Sequence, residues 1–247
     1  MASLAPHFEG ELALDAPTRA YVDREARALL AWRAGLHRPG GAALTRWLGA
    51  RLDPRRTDFV VHLAPRWGGA MSELMRRPVR PAVRVAVAPE GQSGDGRHTL
   101  RREGKPHQTG LVVSSVDLVI AEGPGIDGPE RRGAWLSEVS RVLRSGATAA
   151  LHLLAGRGEH PFRSGEAIPS PWMWERALDD VGLRCVEMQT APWRWPAWWT
   201  LAAETGFGRY LRDAHRLARL DERGTARRQL RARCASALGL AVIACRR

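Results

Sequence analysis

Four side chains stand where their types can do chemistry: His62, Arg66, Glu90 and Glu122. Arg66 lies just past the apolar run Phe59-Val60-Val61-His62-Leu63 and is followed by Trp67-Gly68-Gly69. A guanidinium at a strand-to-helix turn beside two glycines can hold a phosphate or carboxylate against the helix N-terminus. The plainer account is a surface arginine in a rebuilt loop, and the sequence leaves both open. Glu122 follows the buried-looking run Val116–Ile120. If partly buried it would serve as a general base; otherwise it is a turn residue ahead of a helix. His62 and His152 each fall within a strand-like run, where a lone histidine is more often a hydrogen-bonded core residue than a catalyst.

Other chemistries lack their signatures. There is no Gly-x-Ser-x-Gly, no His-Glu-x-x-His and no P-loop, so nothing supports a hydrolase, metalloprotease or NTPase. Cys185, Cys234 and Cys245 are odd in number and far apart, so neither a disulfide framework nor a zinc site is expected. No metal is expected, and a reducing cytoplasm is the expected compartment. The first ten residues carry no secretory signal pattern, and arginines interrupt every apolar run before it could span a bilayer.

Two further stretches invite partners. Trp193-Arg194-Trp195-Pro196-Ala197-Trp198-Trp199 is dense in amphipathic rings. It could line an apolar small-molecule pocket, bind a partner or rest on a membrane surface; the plainer account is a satellite core. Arg209, Arg212, Arg216, Arg219, Arg223 and Arg227 recur every three or four residues, and Arg228, Arg231 and Arg233 extend the charge. On a helix they form a stripe able to track RNA phosphates or an acidic protein. Asp213, Asp221 and Glu222 dilute it and no aromatic residue beyond Tyr210 interleaves, so a solvated face ranks first.

The elements that must position these residues alternate along the chain. Asp15 and Pro17 open a helix running to about Leu36, and Leu44, Trp47, Leu48 and Leu52 mark a second. A strand is predicted at Asp58–Leu63, a short helix at Met71, Leu74 and Met75, and a strand at Val83–Val87. Residues 89–110 are polar and glycine-rich, without helical period. After Val116–Ile120 comes a helix burying Trp135, Leu136, Val139, Val142 and Leu143, closed by Ser145-Gly146, then a strand at Ala147–Leu154. Ser170-Pro171 starts a helix with Trp174, Ala177, Leu178 and Val181 inward; Leu183–Met188 and Leu238–Ala244 are strands. Such alternation predicts a mostly parallel sheet with helices on both faces.

Composition fits a globular chain: 247 residues, 44% hydrophobic and 26% charged. The net charge of +12 comes almost wholly from arginine, since Lys105 is the only lysine. The excess suits an anionic partner, and equally a solvated basic surface.

The segment Ser115–Leu154, with its Val-Asp-Leu-Val-Ile strand and its Glu138-Val139-Ser140-Arg141-Val142-Leu143 helix, resembles the middle of class I S-adenosylmethionine (SAM)-dependent methyltransferases. Glu175–Met188 and Leu238–Ala244 are similar to the helix–strand and the last strand of that family, so the likeness covers roughly 58–190 and the C-terminus. It implies a Rossmann-like α/β fold, a seven-stranded sheet with an antiparallel last strand, and a SAM site at the ends of the first two strands. The helical patterns ahead of the first strand are expected to form an N-terminal helical cap over 1–57, followed by an α/β domain over 58–247 with a Trp/Arg-rich insertion at about 192–236. Relatives with a tryptophan in the first loop read Asp-Leu-Gly-x-Gly-Trp-Gly-Gly. The present chain reads His62-Leu63-Ala64-Pro65-Arg66-Trp67-Gly68-Gly69. The acid has become His62 and two glycines have become Ala64 and Arg66, whose Cβ atoms stand where the backbone should approach the ligand. The acid that closes the second strand in the family is replaced by Ala88, and Glu90 comes two residues late. The expected cofactor contacts are therefore His62, Ala64, Arg66, Trp67, Gly68, Gly69 and Glu90, on a SAM site that is degraded. The expectation is a methyltransferase-like protein, non-catalytic or with an altered ligand, working through protein or RNA contacts. The alternatives are an active SAM-dependent transferase of a small molecule, with Glu122 catalytic, and a basic RNA- or ribosome-associated module.

Overall fold

The computed structural model describes residues 40–63, 74, 83–88, 100–105, 107–122, 129–157, 168–193 and 237–247. Among the described residues seven strands form one sheet: β1 (Phe59–Leu63), β2 (Val83–Ala88), β3 (Leu100–Glu103), β4 (Val116–Glu122), β5 (Leu143–Gly156), β6 (Leu183–Pro192) and β7 (Ala237–Arg246). Their order is β3-β2-β1-β4-β5-β7-β6. The first five are parallel, and β7 runs antiparallel to both its neighbours. The expected seven-stranded architecture and antiparallel last strand are both present.

Alternation along the strands divides the core between two faces. On one face Val61, Leu63, Val119, Ala121, Leu151, Leu240 and Val242 pack against helices α2 (Pro129–Val142) and α3 (Pro171–Asp180). These helices deliver Trp135, Leu136, Val139, Trp174 and Leu178, spaced three or four apart. Trp174 keeps its indole N–H satisfied by donating to the Leu154 carbonyl at 3.0 Å. On the opposite face Val60, Leu118, Ile120, Ala150, Ala241 and Ile243 are covered by α1 (Gly41–Arg51). Leu44 and Leu48 sit one turn apart on α1, Leu52 caps it, and all three are buried. Each such leucine contributes about 1.5–3 kcal/mol. Arg51 ion-pairs with Glu187 on the edge strand β6, linking the helix to the sheet, and its guanidinium stacks 4.0 Å over Trp47 one turn back on the same helix.

The stretch 89–110, read above as a polar loop, contains β3. Its sequence, Leu-Arg-Arg-Glu, carries no apolar alternation, and the strand lies at the sheet edge, held by backbone pairing. That pairing is parallel to β2, from Val85↔Leu100 to Ala88↔Glu103. Asp117 fixes the entry to the sheet, accepting the Phe59 N–H at 2.8 Å and Arg144 Nη1 at 2.6 Å, so one carboxylate ties β1, β4 and β5 together. Among the described residues of the short helix expected around Leu74, Leu74 itself is helical and buried. The helix expected from Pro17 to Leu36 lies outside the described residues.

Candidate active site

The chain leaves β1 toward one edge through β2 and β3, then returns to the other side of β1 with β4 and β5. The crossover reverses between β1 and β4. In open α/β sheets the ligand crevice opens beyond the carboxyl ends of the strands at this reversal. His62 is the penultimate residue of β1 and Glu122 the last of β4.

Register places them on one face. His62 pairs with Ile120 and Leu63 with Ala121, so Glu122 lies one step beyond, on the His62 side of the sheet. Glu122 is in turn the direct cross-strand partner of His152 on β5. A row His62–Glu122–His152 thus crosses three adjacent strands, at 2%, 0% and 0% exposure. His62 Nε2 lies 3.6 Å from Glu122 Oε1. That is ion-pair range but beyond hydrogen-bond reach, and His62 Nε2 has no hydrogen-bond partner among the described residues. Around the row the face carries the apolar Val60, Leu118, Ile120, Ala150 and Ala241, and on β2 the buried Arg84, which pairs in register with Val60.

Among the described residues, no group of three or more His, Cys, Asp or Glu is placed to hold a metal ion. Cys185 and Cys245 are free thiols. Burial, and then the charge of Glu175, push the Cys185 thiol up, which disfavours the nucleophilic thiolate. No described helix is long and apolar enough to cross a membrane.

Of the sequence-level site residues, the structure places His62 and Glu122 together. Ala88 ends β2, as expected for the position where relatives carry an acid. Ala64, Arg66, Trp67, Gly68, Gly69 and Glu90 lie outside the described residues, as does the arginine series 209–233. Of the tryptophan-rich run only Trp193 is described; it packs on Leu154, Ile168 and Ala237, a small satellite core. The row itself escaped sequence reading, which took each histidine alone. The signal was available in topology: residues closing the first and fourth strands become neighbours once the sheet order is known.

No family model matches the chain, and no curated protein matches it significantly in sequence. Solved structures do. The [4+2]-cyclase SpnF superposes with a TM-score of 0.61 at 13% identity, over 93% of this chain and 94% of that one. The chain has the class I methyltransferase fold. Geranyl diphosphate methyltransferase in complex with SAM gives a TM-score of 0.58 at 17% identity, covering 96% and 93%. The cyclopropane synthase MmaA2 from Mycobacterium tuberculosis gives 0.53 at 14%, covering 83% of each chain. Within this methyltransferase fold, His62 occupies the end of β1 that the family resemblance assigns to an acid, and Ala88 the end of β2.

Proposed function

We propose that this chain is a methyltransferase-fold protein whose cofactor rim has been altered away from SAM, and that it handles a different ligand at the same rim. The single observation that supports this most is His62. SAM presents a sulfonium and an ammonium, both cationic. An acid at the end of β1 suits them, and His62 puts an imidazole in the place of that acid. Ala88 at the end of β2 removes the carboxylate that would take the ribose hydroxyls, and Ala64 and Arg66 replace glycines in the intervening turn. That a fold neighbour is named as a [4+2]-cyclase is in keeping with this scaffold serving chemistry other than methyl transfer. Arginine-rich residues 209–233 would supply contacts to protein or RNA, and the stretch Trp193–Trp199 an apolar lining.

A second reading is an active SAM-dependent methyltransferase of a small molecule, favoured by the likeness to geranyl diphosphate methyltransferase in complex with SAM. Calorimetric titration with SAM and S-adenosylhomocysteine separates the two. Silence at millimolar ligand is expected; micromolar binding would sink the altered-ligand reading.

A further inference from the structure

We propose that His62 and Glu122 form a buried proton-transfer pair at the β1/β4 switch point, acting on a neutral, largely apolar substrate that carries a weakly acidic C–H or O–H. The inference rests on the reading that this rim no longer serves SAM, and gives the altered site its chemistry.

Three observations carry it. The first is position. The fold directs a ligand to the carboxyl ends of β1 and β4, and the residues there are an imidazole and a carboxylate on one face. The second is burial without saturation. Both side chains are at least 98% buried, yet His62 Nε2 is left without a hydrogen bond among the described residues. Buried polar groups are normally satisfied, and an apolar pair of similar volume would be at least as stable, so a retained, incompletely bonded imidazole points to use. The third is the surroundings. Val60, Ile120, Ala150 and Ala241 pack beside the row on the same face, with the buried Arg84 of β2 as the charged neighbour, and this low-dielectric setting strengthens electrostatic interactions within the pair.

The substrate C–H or O–H bond breaks, its proton forms a bond to His62 Nε2, and the electron pair stays on the substrate as an enolate, carbanion or oxyanion. Glu122 neutralises the imidazolium across 3.6 Å without itself taking the proton. His62 then returns the proton to another atom of the rearranged substrate, so no oxidant, reductant or second substrate is required. His62 is the catalytic residue and Glu122 a positioning residue that acts through it. His152, opposite Glu122 on β5, continues the row across the sheet.

The test uses the full chain and a neutral carbon acid, 5-nitrobenzisoxazole, without SAM. A base removes its ring C–H, the N–O bond breaks, and a coloured nitrophenolate appears. The expected result is acceleration above a buffer matched in imidazole and carboxylate. Glu122→Gln should lower kcat by about 100-fold or more at unchanged KM, with partial return in Glu122→Asp, and His62→Gln should fall to background. Folding of each variant is checked by circular dichroism; if His62→Gln does not fold, the near-isosteric Glu122→Gln decides. Absence of acceleration in the unaltered chain, or acceleration that persists in Glu122→Gln, overturns the proposal. Because the assay contains no SAM, its failure is separate from a failure of the altered-ligand reading, which the calorimetry judges alone.

Discussion

Thr109 donates both its backbone N–H and its hydroxyl to the same oxygen of Glu138, at 2.8 and 2.5 Å, across 29 residues of chain. Arg141, one turn further along α2, donates to both Glu138 oxygens and to the Leu111 carbonyl. The cluster therefore clamps the segment entering β4 to α2, and so fixes the strand whose far end carries Glu122. Hydrogen bonding from Arg141 first, then from Thr109, holds the Glu138 carboxyl down at about 2 from 4.5, against the opposing effect of burial.

The sign of the pH effect follows from that lowering. Stability from Glu138 is fully present above about pH 4.5 and is lost as pH falls toward 2. The difference corresponds to about 3 kcal/mol at most. Glu138→Gln is expected to lower unfolding free energy by roughly 2–3 kcal/mol at pH 6. The gap from the unaltered protein should shrink steadily between pH 4.5 and 2 in denaturant titrations. A constant gap across that range would show that the carboxylate is not what holds the clamp.

Asp117 makes a second separable contribution. Asp117→Ala removes both the bond from the Phe59 N–H and the ion pair with Arg144, and should cost about 2–3 kcal/mol. Asp117→Asn keeps an acceptor for Phe59 and loses only the pair with a half-exposed arginine, so about 1 kcal/mol or less is expected. Equal losses in chemical denaturation would mean that the backbone bond contributes nothing.

Gly40 precedes α1 at φ 77°, and a Cβ there would clash with Leu44 Cδ1. Gly182 has the same φ with nothing within 4 Å. Gly182→Ala should cost about 1–2 kcal/mol from the left-handed backbone alone. Gly40→Ala adds a clash with a leucine that anchors α1 and should cost roughly 1–3 kcal/mol more. Thermal melts of the two variants side by side test the difference.

The sequence showed the fold where packing wrote it. The inward faces of α2 and α3 were legible because Trp135, Leu136, Val139, Trp174 and Leu178 repeat at helical spacing and are indeed buried. Leu44, Leu48 and Leu52 were legible for the same reason. β3 was not, because Leu100–Glu103 is held by backbone pairing to β2 rather than by an apolar pattern. Of the site, the substitution of an acid by His62 was visible in the motif. Its proximity to Glu122 was not, since 60 residues separate them and only the β1–β4 adjacency brings them together.

That adjacency makes a final prediction about restoring a cofactor site. Changing Ala64 and Arg66 to glycine returns the sequence toward the family pattern but keeps His62 and Ala88, so calorimetry should stay silent toward millimolar SAM, and micromolar binding would trace the loss to Ala64 and Arg66 alone. Adding His62→Asp completes the motif on paper, yet it would set a second carboxylate beside Glu122, which is 0% exposed. Two buried carboxylates cannot both ionise without a large penalty, so His62→Asp alone should destabilise the protein by roughly 3–5 kcal/mol at neutral pH. Pairing it with Glu122→Ala should recover a good part of that loss. A double-mutant cycle on His62 and Glu122 should accordingly show coupling of about 1–3 kcal/mol. Additivity within about 0.5 kcal/mol would mean that the two side chains, though 3.6 Å apart, do not act on one another.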